Sequence, residues 1–413
     1  MELNKALKMF GITALKPFQQ DVLDCLMGRR DAMCIVPTGS GKSLIFQLMA
    51  LLMEKLVIVI EPHLALELDQ VKKLKELNIP AAYINSLLSA AERKQALEQV
   101  RNGSLRLLYL TPEMLQNKAV RACLRVNHPG AIMIDEAHCV VKQGSGFRED
   151  YLRIHEVIKA IRPRPVVGAF TATATPRTEE EIIRKLDLQR PYICRQSITR
   201  NNIQISVVEV GHELGGKKDK AVIEQRKREK ICELLDDMDD GRAIIYCNTV
   251  KRTEKLHKYL KKQEYDVGYF HGKCEDKQER LNAFWRGEFD IMVATNSFGL
   301  GIDIPDIRLV IHHSPLMGLD DYVQEVGRAG RDGKKSKAVL LWHAYDFTIN
   351  RGLVNQKQLA LTGQERKDQL DAIQALEDYA KERQECRWRQ LRRFFGEPEG
   401  KRCKKRCDYC RRH

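Results

Sequence analysis

A short glycine-containing loop near the amino terminus has the residue types that bind nucleotide phosphates. The segment VPTGSGKS, residues 36–43, follows an apolar run and precedes a segment with helical periodicity. Backbone N–H groups beside Gly39 and Gly41 can turn toward an anion, and the start of the following helix adds partial positive charge. The alternative, a glycine-rich turn without a ligand, is disfavoured because strand, loop, Lys-Ser and helix occur together.

This loop predicts a site for ATP and Mg²⁺. We expect Lys42 to reach the β- and γ-phosphates and the Ser43 hydroxyl to bind Mg²⁺. The predicted nucleotide contacts of the loop are Thr38, Gly39, Ser40, Gly41, Lys42 and Ser43.

Two adjacent carboxylates end another apolar run, IMIDEAH, at residues 132–138. Ligands of doubly wound folds bind at the carboxyl ends of the strands, so Asp135 and Glu136 are expected to face the same crevice as Lys42. We predict that Asp135 holds Mg²⁺, directly or through water, and that Glu136 positions and polarises the attacking water. His138 is expected to hydrogen-bond toward the TAT segment, residues 171–173, or toward the second domain. A surface acid pair would be the alternative without the phosphate loop.

A third segment, YVQEVGRAGRDG at residues 322–333, carries two arginines three residues apart. Arg328 and Arg331 are expected on one side of a helix or helix end, with Gln324 one turn before Arg328. If the segment faces the phosphate loop across an interdomain cleft, one arginine can neutralise charge on the γ-phosphate. Such an arginine is worth about 10³–10⁵ in rate, and it would link hydrolysis to domain closure. The alternative for either single arginine is a phosphate or surface contact.

Four of the twelve cysteines cluster near the carboxyl end, and the other eight are scattered and predicted to be reduced thiols. The spacing of the four suits a tetrahedral zinc site of closed, structural type, and the alternative is free or oxidised thiols. The segment CRWRQLRRFFGE, residues 386–397, is expected to pack its aromatic rings on this site and to contact phosphates through some of its arginines. The predicted zinc ligands are Cys386, Cys403, Cys407 and Cys410.

Two series of apolar runs that alternate with helical segments would position these residues. The first series lies at 32–37, 56–62, 105–112, 131–137 and 165–174, and the second at 242–249, 266–272, 289–296, 307–314 and 337–343. Apolar runs without alternation are typical of buried parallel strands, so we predict two tandem doubly wound α/β domains. A glycine- and charge-rich stretch, 211–230, interrupts the rhythm, and one helical segment is expected over about 364–395. The predicted division is 1–203, 204–350 and a helical zinc-binding subdomain at 351–413.

Composition indicates a globular protein with a polyanionic partner. The formal charge of the 413 residues is +14, and residues 381–413 alone hold 13 Lys and Arg against 5 Asp and Glu. A basic end of this kind favours nucleic acid, although a solvated basic tail is the alternative. No apolar run approaches the roughly 20 residues of a membrane span, and the first residues do not have the layout of a signal peptide. We therefore expect a cytoplasmic protein without membrane contact.

Taken in order, five segments resemble a superfamily 2 helicase of the RecQ type: PTGSGKS, IDEAHC, FTATATP, VATNSFGLGID and QEVGRAGRDG. The resemblance extends from about Gly11 to Cys410. It implies two RecA-like domains, ATP-driven 3′-to-5′ translocation of a monomer on single-stranded DNA with duplex unwinding, and a role in DNA repair or recombination. It also implies that Gln19 contacts the adenine edge, with Lys16 standing where the family usually has arginine.

The loop CVVKQGSGFREDY, residues 139–151, departs from the family's aromatic-rich loop, which usually has a form close to CxSQWGHDFRPxY. Gln143 replaces tryptophan and Ser145 replaces histidine, whereas Gly144, Phe147, Arg148 and Tyr151 remain. In the family this loop senses single-stranded DNA and relays the signal to the ATP site. We expect Thr171 and Thr173 to take part in this coupling as well. Because stacking of a base on an aromatic ring is worth about 1–3 kcal/mol, the changes are expected to weaken or relocate the sensing.

Three hypotheses follow. The first is a helicase with altered coupling, the second a DNA-binding ATPase or translocase that unwinds poorly, and the third a zinc-bearing nucleic-acid scaffold with a vestigial site. The third hypothesis is disfavoured because the hydrolysis residues are intact, namely Lys42, Asp135, Glu136, Arg328 and Arg331. An RNA helicase is a further alternative, because RNA helicases share these hydrolysis motifs. The winged-helix and HRDC domains of many RecQ proteins do not fit in these 413 residues, and a minimal core is expected if they are the full protein.

Overall fold

The computed structural model describes residues 1–62, 64–141, 149–211, 219–298, 304–356 and 361–413. These residues form two compact units, Met1–Ser197 and Ile198–His413. Among the described residues, no helix combines the length and the apolar composition needed to cross a bilayer.

The first unit is built on a seven-stranded sheet in which every described strand pair is parallel. The strand order is β3-β4-β2-β5-β6-β1-β7. Runs such as VIVI and AIMI become strands buried on both faces, because helices cover the sheet on each side. The strands are β1 (Ala32–Ile35), β2 (Val57–Ile60), β3 (Ala81–Ile84), β4 (Leu107–Leu110), β5 (Ala131–Ile134), β6 (Val166–Thr171) and β7 (Tyr192–Arg195).

Nine α-helices surround this sheet in the described part of the first unit. They are α1 (Leu3–Met9), α2 (Pro17–Met27), α3 (Lys42–Leu52), α4 (Leu64–Glu76), α5 (Ala90–Arg101), α6 (Lys118–Asn127), α7 (Glu149–Leu152), α8 (Ile154–Ala160) and α9 (Pro176–Leu186), with 3₁₀ turns at Pro112–Gln116 and Ala137–Val140. The buried Asp31 fixes the edge where β1 starts, because its carboxylate accepts two bonds from Arg164, at 3.0 and 2.8 Å. It also accepts the backbone N–H groups of Val167 and Gln189.

The second unit contains a six-stranded parallel sheet with the order β10-β11-β9-β12-β13-β8. Its strands are β8 (Ile203–Glu209), β9 (Arg242–Tyr246), β10 (Val267–Phe270), β11 (Ile291–Ala294), β12 (Ile307–His312) and β13 (Ser336–Trp342). Its helices are α10 (Lys220–Asp236), α11 (Val250–Lys262), α12 (Lys277–Arg286), α13 (Leu319–Val326), α14 (Ala344–Val354), α15 (Gly363–Lys381), α16 (Arg387–Phe394) and α17 (Asp408–Arg412).

The cysteine-bearing end packs on the edge of this second sheet. The Ile205 N–H donates to the Arg406 carbonyl at 3.0 Å, and Ile205 and Cys407 form an isolated parallel bridge. The cluster therefore covers β8, an edge strand whose backbone groups need a partner. Side chains of α15 and α16 share one hydrophobic core with the sheet. A separate subdomain at 351–413 stays a prediction.

All ten predicted strands are present. Three further strands, β3, β7 and β8, were not predicted. The helical segment expected over about 364–395 is present as two helices, α15 and α16, which are separated by residues 382–386, and Cys386 stands at the N-cap of α16.

Candidate nucleotide site and metal centre

The phosphate loop connects β1 to α3, as the sequence predicted. Gly39 and Gly41 have positive φ angles of 73° and 94°, a region that side chains rarely adopt. Gly41 is the N-cap of α3, so the loop ends at a helix amino terminus where backbone N–H groups can bind an anion. A Cβ atom added to Gly41 would lie 2.6 Å from the Gln19 amide nitrogen, so the Gln19 side chain would have to move.

The loop lysine and the first acid of the DEAH segment meet although 93 residues separate them. Lys42 Nζ lies 2.8 Å from Asp135 Oδ1, and both side chains are buried. Burial lowers the pKa of the Lys42 ammonium, but the Asp135 and Glu136 carboxylates outweigh burial and hold that pKa above its usual value. Lys42 is therefore positively charged at any physiological pH.

The DEAH segment is connected by hydrogen bonds to the TAT segment. His138 Nδ1 lies 3.1 Å from Glu136 Oε2 and 3.0 Å from Thr171 Oγ1. The Thr171 hydroxyl in turn donates to the Thr173 carbonyl at 3.0 Å. Burial disfavours a charged imidazole, yet Cys139 and the Glu136 carboxylate outweigh it and raise the pKa of His138 to about 10. A protonated His138 can then donate from Nδ1 toward both oxygens, which ties Glu136 to the end of β6.

Lys16 and Gln19 contact the backbone of the phosphate loop. Lys16 Nζ donates to the Ser40 carbonyl at 2.9 Å, and Gln19 Nε2 donates to the Gly41 carbonyl at 3.0 Å. The Gln19 side chain also accepts the Lys16 N–H at 3.0 Å, which caps α2. Both residues thus lie beside the loop, and adenine recognition by Gln19 stays a prediction.

The arginine segment belongs to the second unit. Gln324 lies in α13, Arg328 and Arg331 follow this helix, and all three side chains are half-buried. A buried contact of 2.9 Å between His312 Nε2 of β12 and Glu325 Oε2 of α13 joins the helix to the sheet. The last turn of α13 therefore has a defined position on the carboxyl end of β12.

The four clustered cysteines have the geometry of a metal centre. Their Sγ atoms all lie within 4.8 Å of one another, and all four residues are buried. The Sγ distances of 3.4 Å for Cys403–Cys407 and 4.0 Å for Cys407–Cys386 are close to the roughly 3.8 Å of a tetrahedral zinc site. The Cys410 N–H lies 3.4 Å from Cys407 Sγ, where it favours a thiolate. The donor set therefore fits zinc.

The surroundings of this centre are partly as expected. Trp388 and Phe395 are buried in the core beside the cysteines, which confirms the predicted aromatic packing. Arg387 is also buried, where it bonds to Asp408 at 3.1 Å and to the Tyr379 carbonyl at 2.5 Å, so it is not a surface group for phosphate. Phosphate contact by the other arginines of α16 stays a prediction.

Some predicted residues cannot be placed, and others were missed. Phe147 and Arg148, together with the substituted Gln143 and Ser145, lie outside the described residues. Tyr151, which this chain shares with the family's loop, was given no role from the sequence, and its hydroxyl donates to the Asp135 carbonyl at 3.2 Å. Sequence analysis missed Arg200 and Asn202, whose side chains bind carbonyl groups of the arginine segment. A side chain that binds a backbone carbonyl has no recognisable partner in the sequence, so no signal identified them.

Comparisons with known proteins agree with this architecture. Three family models match: "DEAD/DEAH box helicase" at residues 16–182, "Helicase conserved C-terminal domain" at 226–333 and "RecQ zinc-binding" at 344–411. The solved structure of S. cerevisiae Dbp5 bound to RNA and ADP BeF3 covers 90% of this chain and 90% of that chain, with a TM-score of 0.65 and 18% identity. This last likeness concerns the fold alone.

Two curated relatives cover most of the chain. The ATP-dependent DNA helicase RecQ of Bacillus subtilis is 33% identical over 398 residues, which is 95% of this chain and 64% of that protein. The ATP-dependent DNA helicase RecQ of Synechocystis is 37% identical over 348 residues, which is 82% of this chain and 70% of that protein. The chain thus spans less than two thirds of the B. subtilis relative. Together with the two RecA-like parallel-sheet units and the Cys₄ cluster, these matches show that the chain belongs to the RecQ family of helicases.

Proposed function

We propose that the chain is an ATP-dependent DNA helicase that uses ATP hydrolysis to move 3′ to 5′ along single-stranded DNA and to unwind duplex DNA, in repair or recombination. The observation that carries this proposal is the buried contact of 2.8 Å between Lys42 and Asp135 beneath the phosphate loop. Membership in the RecQ family supports DNA as the polymer. We further propose that the chain acts as a monomer in the cytoplasm, with its parts divided at 203 and 350.

In this proposal, the nucleotide-site residues of the first unit have separate roles. Lys42 and the loop N–H groups bind the phosphates, with Lys16 and Gln19 beside them. Glu136 orients and polarises the attacking water, while His138 holds the Glu136 carboxylate in place. Mg²⁺, when bound by Ser43 and Asp135, neutralises charge on the phosphate oxygens.

The second unit supplies the remaining groups in this proposal. Arg328 or Arg331 neutralises charge that develops on the γ-phosphate, and Gln324 lies one turn before Arg328 to assist. Zinc, bound by the four thiolates, has a structural role because these ligands fill its coordination shell.

A second candidate function is a DNA-binding ATPase or translocase with weak or no unwinding. The observation in its favour is the loss of two aromatic-loop residues of the family, where Gln143 and Ser145 now stand. If Phe147, Arg148 and the Thr171–Thr173 connection do not compensate, ATP hydrolysis and strand separation become uncoupled.

The test is steady-state ATP hydrolysis with and without single-stranded DNA, together with unwinding of a duplex with a 3′ overhang. Lys42→Ala is the blank. We expect DNA to stimulate hydrolysis by about tenfold or more, which is about 1.4 kcal/mol in barrier. Hydrolysis that ignores DNA, or stimulation without unwinding, would favour the second candidate. No hydrolysis above the Lys42→Ala blank would refute the enzyme proposal.

A further inference from the structure

The second unit begins with a short segment, residues 198–202, that precedes β8 and is held on two sides. On one side it contacts the cysteine-bearing end of the chain. The Ile198 N–H donates to Glu397 Oε1 at 2.7 Å, and Arg406 bonds to the Asn201 side chain. The Ile198 bond fixes the backbone at the start of the segment, whereas the Asn201 contact involves only an exposed side chain.

On its other side the segment binds the loop that carries the two functional arginines. Arg200 Nη2 donates to the Gly330 carbonyl at 2.9 Å, and Arg200 Nη1 lies 3.4 Å from the Gly327 carbonyl. Asn202 Nδ2 donates to the Gly330 carbonyl at 2.7 Å and to the Lys334 carbonyl at 2.9 Å. Two side chains therefore converge on one stretch of backbone.

The positions of the bound carbonyls are specific. Gly327 immediately precedes Arg328, and Gly330 immediately precedes Arg331. A carbonyl and the following N–H lie in one rigid peptide plane, so a donor that holds the carbonyl also orients the next residue. The planar guanidinium of Arg200 contacts the two carbonyls through two separate nitrogens held in one plane, whereas a lysine ammonium has all its donors on one nitrogen and lacks this fixed spacing.

The loop is also tightly packed around Gly330. Its φ is +54°, and an added Cβ would collide with Asn202 and lie 2.7 Å from the Lys334 carbonyl oxygen. The Gly330 N–H donates to the Ile307 carbonyl at 2.8 Å. Both polar groups of this residue are thus satisfied, and the loop depends on Asn202 for its close fit.

We propose that Arg200 and Asn202 are positioning residues that hold Arg328 and Arg331 ready for the γ-phosphate without touching the nucleotide themselves. This inference rests on the proposed ATP hydrolysis. A misplacement of about 1 Å at a reacting group can cost about 10²-fold in rate, so loss of the two Arg200 guanidinium contacts should lower kcat. KM for ATP should change little, because the proposed ground-state contacts of ATP are with the phosphate loop of the first unit.

The first experiment compares Arg200→Lys, Asn202→Ala and the control Asn201→Ala in the full chain. Asn201 is exposed and bonds to Arg406 rather than to the arginine loop. We expect kcat to fall about ten- to a hundredfold in the first two variants, with KM within about twofold. The control should match the unchanged chain. In the background of Arg331→Ala and Arg328→Ala together, Arg200→Lys should have no further effect. An equal kcat in Arg200→Lys and the control, or a loss confined to KM, would overturn the proposal.

The second experiment does not depend on activity. Hydrogen–deuterium exchange of the backbone amides at 327–334 should rise about tenfold or more in Arg200→Lys and stay unchanged in Asn201→Ala, at temperatures where thermal melts show both variants folded. Unchanged exchange in this loop would refute the positioning role even if the chain hydrolyses ATP. If the unchanged chain lacks hydrolysis but the loop exchange rises as expected, the proposed function fails and the fixing of the loop stands.

Discussion

A buried glutamate in the first unit should make the stability of that unit fall as pH rises. Glu67 lies in α4 with none of its surface exposed, and its Oε2 accepts one bond from the Asn85 amide at 2.9 Å. Burial raises the pKa of the Glu67 carboxyl from 4.5 to about 8, with Glu61 and Glu113 adding to the rise and Asn85 opposing it. In the folded chain, Glu67 is therefore neutral at pH 7.

The sign of the effect follows from proton binding. In the unfolded chain the carboxyl loses its proton near pH 4.5, whereas in the folded chain it keeps the proton up to about pH 8. Between these values the folded state binds more protons at Glu67, so the contribution of Glu67 to the free energy of unfolding is highest below pH 4.5 and declines until pH passes 8. Because one pKa unit is worth about 1.4 kcal/mol, the total decline is about 4–5 kcal/mol.

Glu67→Gln should remove this decline, because glutamine has nearly the same shape and can still accept the Asn85 bond. We expect the variant and the unchanged chain to differ by less than about 1 kcal/mol at pH 5, and the variant to be more stable by about 4–5 kcal/mol at pH 8.5. The exposed Glu98→Gln on α5 is the matched control.

Denaturant unfolding followed by two probes gives the measurement. All three tryptophans belong to the second unit, so their fluorescence is an internal reference, and circular dichroism reports both units. The midpoint of the circular dichroism transition should depend on pH differently in Glu67→Gln and in the unchanged chain. The midpoint of the fluorescence transition should have the same pH dependence in both. Parallel pH profiles for the variant, the control and the unchanged chain would refute the reasoning. The tryptophans are Trp285, Trp342 and Trp388.

Three other predictions concern buried charges and the metal. Asp31→Asn weakens the bonds to Arg164 and should cost about 2–4 kcal/mol in urea unfolding; a loss below 0.5 kcal/mol would contradict this. Lys227→Met leaves Asp346, its buried partner at 2.7 Å, without a counter-charge and should lower the free energy of unfolding by about 3–5 kcal/mol. The double variant Lys227→Met with Asp346→Leu should recover at least half of this loss. Equal losses in the single and the double variant would contradict the pairing. A zinc chelator should destabilise the second unit by several kcal/mol and shift the Trp388 emission to the red, with unchanged emission as the contrary result.

The strands that sequence analysis missed share a position in the sheets. β3 and β7 are the two edges of the first sheet, and β8 is an edge of the second. Edge strands are covered on fewer sides, so they do not need the uninterrupted apolar run by which the central strands were identified. The burial of β7 and β8 is mixed along each strand, whereas β2 and β5 are buried at every residue.

The site was predictable to the extent that its chemistry is carried by side chains at the ends of central strands. Lys42 and Asp135 could be paired because the carboxyl ends of all parallel strands in one sheet lie along the same edge, here with β6 between β1 and β5. The tie from His138 to Thr171 depends on the same edge. The contacts of Arg200 and Asn202 end on carbonyl oxygens, which every residue has, so only the fold reveals them.

The charged groups around the phosphate loop of the first unit bear on the proposed role of the two arginines. Lys42 and, below about pH 10, His138 are cations, and they are balanced by the Asp135 and Glu136 carboxylates. The set is therefore close to neutral, while metal-bound ATP still carries net negative charge that grows at the γ-phosphate during transfer. The loop N–H groups and the helix terminus offer only partial charges. In the proposed function, Arg328 and Arg331 of the second unit supply full positive charge for the transition state, and Arg200 and Asn202 bind the backbone of the loop that carries them.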